Sequence, residues 1–198
     1  VNLALEGGPK SLENVQRTES VETLKTASSS FTGKDLEIVA KGVDALKQWT
    51  GKSRAVIFYD STVDEFTHDG FFNKVKGKRN IAVIGFTTDG DVFGGFYSVA
   101  VTKHEWFYDP KIFVFSFEAH GRCETPKKFL VKKRRTRKAA VISFEDDDDG
   151  FVGFGVEGSG FGGFCLGNES SLSYCGDMSY GFDGLENTTL TGQNNTYS

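Results

Sequence analysis

The sequence is poor in cysteine, proline and histidine, with 3 residues of each among 198. The cysteines, Cys123, Cys165 and Cys175, are odd in number and have no Cys-x-x-Cys spacing, which argues against a disulfide framework or a zinc site. No apolar run approaches the length that crosses a bilayer, so we expect no membrane insertion. We also expect no metal and no cofactor.

The sequence does not start with the charged and then apolar pattern of a signal peptide. Together with the odd number of cysteines, this start indicates a reducing compartment, and we expect the cytoplasm, with the nucleus as the alternative. The formal net charge is −4, which does not favour association of the whole chain with nucleic acid or acidic lipid.

Phenylalanine and glycine are abundant, with 19 and 24 residues, and this combination is typical of strands joined by tight turns. Apolar segments of strand length follow one another with few helical patterns between them, which predicts antiparallel pairing. The fold class is α+β with β dominant: a two-sheet antiparallel β-sandwich flanked by short helices. The predicted strands are 55–59, 81–86, 92–97, 112–117, 129–131, 139–144, 151–156 and 163–166.

Helical patterns lie mainly before the strands. Thr32 can cap a helix that ends at Gly51, whose apolar residues recur at three- and four-residue steps: Leu36, Val39, Val43, Leu46 and Trp49. A second, short helix is predicted at residues 70–75. Residues 1–30 have too few apolar side chains to close a core and are predicted as a helical or partly disordered lead, through which the chain could oligomerise. Residues 31–198 are predicted as the domain.

One segment is similar to the nucleophile loop of haloacid dehalogenase phosphatases, but it lacks the nucleophile. The required aspartate would stand at Phe58, two residues before Asp60, and a phenyl ring cannot be phosphorylated. Asp60 is expected to cap the turn after its strand. His68, His104 and His120 have no diagnostic nucleophile context, so we expect no enzyme activity and no catalytic residues.

Two further segments match binding motifs only in part. The acidic run, Glu145 to Asp149, resembles the start of an EF-hand loop, but Val156 stands where the bidentate glutamate belongs. A solvated acidic turn is favoured over a weak cation site. The glycine-rich stretch 153–163 matches a dinucleotide fingerprint by letters alone, and no strand-to-helix turn surrounds it, so phosphate binding is not expected.

A hairpin provides the strongest family resemblance. Asp89-Gly90 is a hairpin signal between two predicted strands, and Gly94 and Gly95 follow in the second strand. The segment 80–96 resembles the hairpin of the TLDc domain family, and the order of the segments from residue 35 to 192 is similar to that family, with a divergent, amoebal-type member indicated. The chain departs from the family at its end, which lacks the usual E-x-W-G-F strand.

The resemblance implies a β-sandwich flanked by helices and without agreed catalytic residues. It implies a role in the oxidative stress response through protein binding, with the vacuolar proton ATPase as the partner of several family members. Asp89, Gly90, Gly94 and Gly95 match family hairpin positions, and the three glycines are expected to serve a tight turn and close packing.

A basic run is not a general feature of that family. It consists of Lys127, Lys128, Lys132, Lys133, Arg134, Arg135, Arg137 and Lys138, and the residues from Lys132 to Lys138 are the candidate polyanion-binding site. Clustered cations of this kind suit phosphate backbones or a nuclear-localisation signal, whereas the alternative is a solvated loop. The alternative function is therefore a nucleic-acid-binding regulator that uses residues 127–138, and the two alternatives stay open at this point.

Overall fold

The computed structural model describes residues 2–7, 33–103, 105–133, 140–142, 152–155, 163–167, 173–192 and 196–197. Within these residues the chain forms helices α1 (Gly33–Thr50) and α2 (His68–Val75). The strands, in chain order, are β1 (Asn2–Glu6), β2 (Arg54–Tyr59), β3 (Ile81–Phe86), β4 (Val92–Tyr97), β5 (Glu105–Phe107), β6 (Phe113–Glu118), β7 (Lys127–Leu130), β8 (Ala140–Ile142), β9 (Val152–Gly155), β10 (Gly163–Leu166), β11 (Tyr174–Cys175) and β12 (Thr196–Tyr197).

The strands form two antiparallel sheets. Sheet A has the order β2-β1-β3-β4-β6-β7, and sheet B has the order β12-β11-β10-β9-β8-β5. Side chains from both sheets share one buried cluster, in which the rings of Phe93 in sheet A and Phe164 in sheet B lie 5.2 Å apart, edge to face. The predicted α+β sandwich is confirmed.

Helix α1 covers the opposite face of sheet A. Val39, Val43 and Leu46 from its apolar stripe are buried in a second cluster with side chains of β1, β3, β4 and β6. A methyl group on Gly42 would overlap the ring of Phe117, so the helix backbone lies directly on the sheet. Sheet A therefore packs between α1 and sheet B, and we call the face that contacts α1 its outer face.

The first strand differs from the sequence-based expectation. Residues 2–6 were expected to be helical or disordered, but they form β1, which pairs with β2 and β3 inside sheet A. Leu3 and Leu5 are 0% and 1% exposed, because their two-residue spacing places both side chains under α1. A domain that starts at residue 31 therefore omits a central strand. Residues 8–32 lie outside the described residues, so oligomerisation through the lead stays a prediction.

The other predicted elements lie close to where the patterns placed them. Strands β3 and β10 have the predicted bounds, α2 begins two residues early at His68, and Thr67 caps it by accepting a hydrogen bond from the Gly70 amide at 3.1 Å. Strands β5, β11 and β12 were not predicted, because two or three residues are too short to show a period. In the described part of the chain, neither helix combines the length and apolarity of a membrane span.

Candidate functional site

The predicted hairpin turn joins β3 to β4. Gly90 has φ +88°, a backbone conformation that glycine adopts without strain, and its amide donates to the Thr87 carbonyl at 3.0 Å. The next two glycines lie on opposite faces of β4. A methyl group on Gly94 would overlap the Val83 carbonyl oxygen, and one on Gly95 would overlap the ring of Phe154 from sheet B.

A buried carboxylate with two partly exposed partners lies beside this hairpin. The carboxylate of Asp91 is 2.6 Å from Arg122 Nη2 and 2.7 Å from His120 Nδ1. Arg122 also donates to the carbonyls of Thr189 at 3.3 Å and Leu190 at 3.1 Å. The cluster therefore connects the hairpin, the loop after β6 and the C-terminal part of the chain. Sequence reasoning treated His120 as isolated, because its partner Asp91 is 29 residues away and no local spacing indicates the pair.

The basic run starts on β7, one of the two edge strands of sheet A. Lys127 and Lys128 place their ammonium groups 5.2 Å and 5.6 Å from the ring centres of Phe129 and Phe113. Lys132 donates to the Ser179 carbonyl at 2.6 Å, so its ammonium group already serves a contact within the fold. Lys133 is exposed. The remaining predicted polyanion-binding residues, Arg134, Arg135, Arg137 and Lys138, lie outside the described residues.

Asp60 belongs to a turn, as the sequence indicates. Its Oδ1 accepts from the amide of Thr62 at 3.0 Å and from the hydroxyl of the same residue at 2.7 Å. Burial alone would raise the pKa of Asp64, but the hydrogen bond from the Asp60 amide and the Lys74 ammonium outweigh burial and lower that pKa. The arrangement stabilises the loop between β2 and α2.

Metal binding has no support in the described part of the chain, where no three His, Cys, Asp or Glu side chains group around a common point. The acidic run lies outside the described residues, so the choice between a solvated turn and a weak cation site stays a prediction.

The side chains with strongly raised pKa values are buried in the core. Burial raises the pKa of the Cys175 thiol to about 12 and, together with Asp64 and Asp60, that of the Tyr59 phenol to about 12. Burial also raises the pKa of Tyr97. The thiolate is the nucleophilic form of cysteine, so Cys175 is held in its unreactive form at neutral pH.

A cleft of about 500 Å³ opens on the outer face of sheet A, where α1 ends. Its aromatic residues contact one another: Trp49 packs edge-on to Phe113 at 5.9 Å, and Phe113 stacks on Phe96 at 4.9 Å. Leu130 lies at the margin and is 53% exposed. The lining residues are Gly7, Trp49, Thr50, Gly51, Lys52, Asn80, Phe96, Ser98, Lys111, Phe113, Lys128 and Leu130.

The charged side chains that line the cleft are all cationic. Lys52, Lys111 and Lys128 line it, and no carboxylate within the described ranges lies within 4.0 Å of their ammonium groups. The end of α1 is capped by the chain itself, because Thr50 Oγ1 donates to the Leu46 carbonyl at 2.7 Å and the Lys52 amide donates to the Lys47 carbonyl at 3.2 Å. The lysine ammonium groups are therefore not needed to satisfy these carbonyls.

The sequence did not indicate this cleft, because its walls come from separate segments of the chain. Of the three lysines that line the cleft, only Lys128 belongs to the basic run that the sequence marked as a candidate binding region.

The fold and the cleft together define a β-sandwich domain that presents an open, cationic surface site. The sequence pattern of the TLDc domain family matches residues 35–197, and the chain belongs to the TLDc domain family. Membership in this family indicates a regulatory module of the stress-response type, and the family is generally non-catalytic. A comparison with curated proteins found no match. The matched region begins after β1.

Proposed function

We propose that this chain is a non-catalytic regulatory module that acts by binding a protein partner in the oxidative stress response, and that the partner is the vacuolar proton ATPase. The observation that carries the proposal is the TLDc match over residues 35–197, which spans both sheets from α1 onward. The ATPase is the partner that the family resemblance implies. Cys123, Cys165 and Cys175 form no disulfide, which fits a reducing compartment, so we propose a cytoplasmic location.

The chemistry of the described residues supports a binding role over a catalytic one. The Cys175 thiol is held protonated by burial, and Phe58 stands where a phosphatase of the dehalogenase type needs its aspartate. The carboxylate contact of His120 is accounted for structurally, because it connects segments of the fold through Asp91 and Arg122.

Binding to the ATPase is tested with the purified peripheral sector of the enzyme immobilised on a sensor surface. We expect saturable binding of the chain and a change in ATP hydrolysis rate that follows occupancy. The control is the same chain unfolded in urea and diluted immediately before injection. Absence of saturable binding at micromolar concentration, with the chain folded by circular dichroism, would contradict this partner.

Nucleic-acid binding by the basic run at residues 127–138 is the second candidate function, with a nuclear location. Lys127 and Lys133 are exposed, and both belong to that run. Phosphate contacts require only accessible clustered cations, so these side chains suit a contact that does not depend on base sequence.

A further inference from the structure

We propose that the cleft at the end of α1 binds an acidic segment of a partner protein that inserts one aromatic or branched aliphatic side chain. This inference rests on the proposed protein-binding function and names the site and the chemistry of the ligand. The site is assembled from α1, the following turn, sheet A and the loop before β6.

The apolar part of the ligand is inferred from the floor and margin of the cleft. Trp49 lines the cleft, is only half-buried and packs edge-on to the buried ring of Phe113. Leu130 projects at the margin with 53% of its surface exposed, and it lies on the same face of β7 as Lys128. A volume of about 500 Å³ lies within the range of about 300–1,000 Å³ for ligand sites, so it accommodates one large side chain with the backbone that carries it.

The charge of the ligand is inferred from Lys52, Lys111 and Lys128. They reach the cleft from three separate segments: the turn after α1, the loop before β6 and β7. None of them has a carboxylate partner among the residues that the structure describes. The carboxylate of Asp109, close in sequence to Lys111, is already occupied, because it accepts from the amide and hydroxyl of Ser98 and from the amide of Lys111. Carboxylates that flank an apolar side chain complement this arrangement.

A peptide fits these observations better than a nucleic acid does. Single strands bind by stacking bases on accessible aromatic faces along a cationic groove. Phe96 and Phe113 are each 3% exposed and stack on one another, so neither offers a free ring face to a base.

The test uses the acetylated, amidated pentapeptide Asp-Asp-Phe-Asp-Asp as the probe and Trp49 as the reporter. The chain has 2 tryptophans, so Trp106→Phe leaves Trp49 as the only one, and the wild-type chain is titrated in parallel. We expect a saturable change in tryptophan emission. The variant with Lys52→Gln, Lys111→Gln and Lys128→Gln should bind at least about tenfold more weakly, since it loses the cations around the opening.

The matched control carries Lys41→Gln, Lys76→Gln and Lys78→Gln, which remove the same number of charges from exposed lysines outside the cleft. We expect its affinity to stay within about twofold of wild type. Leu130→Asp should weaken binding about tenfold by placing a negative charge at the apolar margin. Replacing the phenylalanine of the probe with glycine should weaken binding to a similar extent.

Equal affinity of the cleft triple variant and wild type, or no binding of the probe at millimolar concentration, would overturn the inference. Equal or tighter binding of tripolyphosphate or of a thymidine oligonucleotide would overturn it in favour of a plain anion site or a nucleic-acid site. If the chain self-associates with increasing concentration and the triple variant does not, the cleft binds a second copy of the chain, which would also overturn the inference of a separate partner.

The cleft inference and the proposed ATPase partner can be contradicted separately. Capture of the ATPase sector equally by wild type and the triple variant overturns the cleft inference and leaves the proposed function standing. Loss of probe binding in the triple variant, without capture of the sector by wild type, supports the cleft and removes only the ATPase as the partner.

Discussion

At the scale of single residues, the two adjacent glycines of β4 leave space for aromatic rings on both faces of sheet A. Successive residues of a strand point to opposite faces of the sheet, so Gly94 and Gly95 leave space on both sides. Phe115, on the outer face of sheet A, fills the space at Gly94. Phe154, from sheet B, fills the space at Gly95. A larger residue at Gly95 would overlap a ring of sheet B, whereas one at Gly94 would overlap atoms of the neighbouring strands of sheet A.

We expect Gly95→Ala to lower the free energy of unfolding by about 1–3 kcal/mol, because the added methyl group overlaps the ring of Phe154. Urea denaturation followed by circular dichroism measures this change. The control is the double variant with Phe154→Leu, which removes the overlapping ring, so its cost should be less than the sum of the two single costs. Additive costs would show that the two residues do not interact.

At the scale of secondary structure elements, β1 has the largest consequence for the fold. It pairs with β2 on one side and β3 on the other, so β2 reaches sheet A only through β1. Helix α1 packs on Leu3 and Leu5 as well as on β6. The first residues of the chain therefore contribute to the core although the match to the family begins at residue 35.

We expect Leu5→Ala to cost about 2–5 kcal/mol in the free energy of unfolding, the usual cost of truncating a buried leucine. Glu6→Ala, at the adjacent exposed position of the same strand, should change it by no more than about 0.5 kcal/mol. Both values come from urea denaturation of the full chain. If the residues formed a frayed helix instead, the two substitutions would have similar, small effects.

At the scale of the whole molecule, the charges are separated along the chain. The net charge is −4, yet the basic run and the acidic run each concentrate one sign within a few residues. Within the described residues, the basic run overlaps the cationic cleft at Lys128. Binding of a polyanion to the basic run and binding of an acidic peptide to the cleft would therefore compete.

Substitution of Lys133, Arg134 and Arg135 by alanine tests the polyanion hypothesis. Log affinity for duplex DNA falls with log salt by about 0.9 for each neutralised phosphate, so each lost contact should flatten the slope by about that amount. Affinity should fall similarly for all DNA sequences. The measurement is DNA retention over a salt series, with alanine at Lys41, Lys76 and Lys78 as the matched control. If the slope is unchanged, or if wild type is not retained on DNA at low salt, the polyanion hypothesis is wrong and the basic run is only solvated.

The sequence by itself determined the fold class, the hairpin and most strands. Alternating or continuous apolar residues and the Asp89-Gly90 turn are local signals, and they place β3 and β4 correctly because the physical cause lies within a few neighbouring residues. The apolar stripe of α1 likewise predicted which of its faces is buried. The family resemblance followed from the order of these local elements.

Only the tertiary structure decided the rest, because the contacts concerned join residues that are distant in sequence. Leu3 and Leu5 are too few to predict a strand, and β1 is identifiable only by its pairing with β2 and β3. The partner of Asp91, Arg122, belongs to a loop that follows a different strand. The cleft combines Trp49, Lys111 and Lys128, whose proximity depends on the order of strands in sheet A, and no local pattern in the sequence encodes that order.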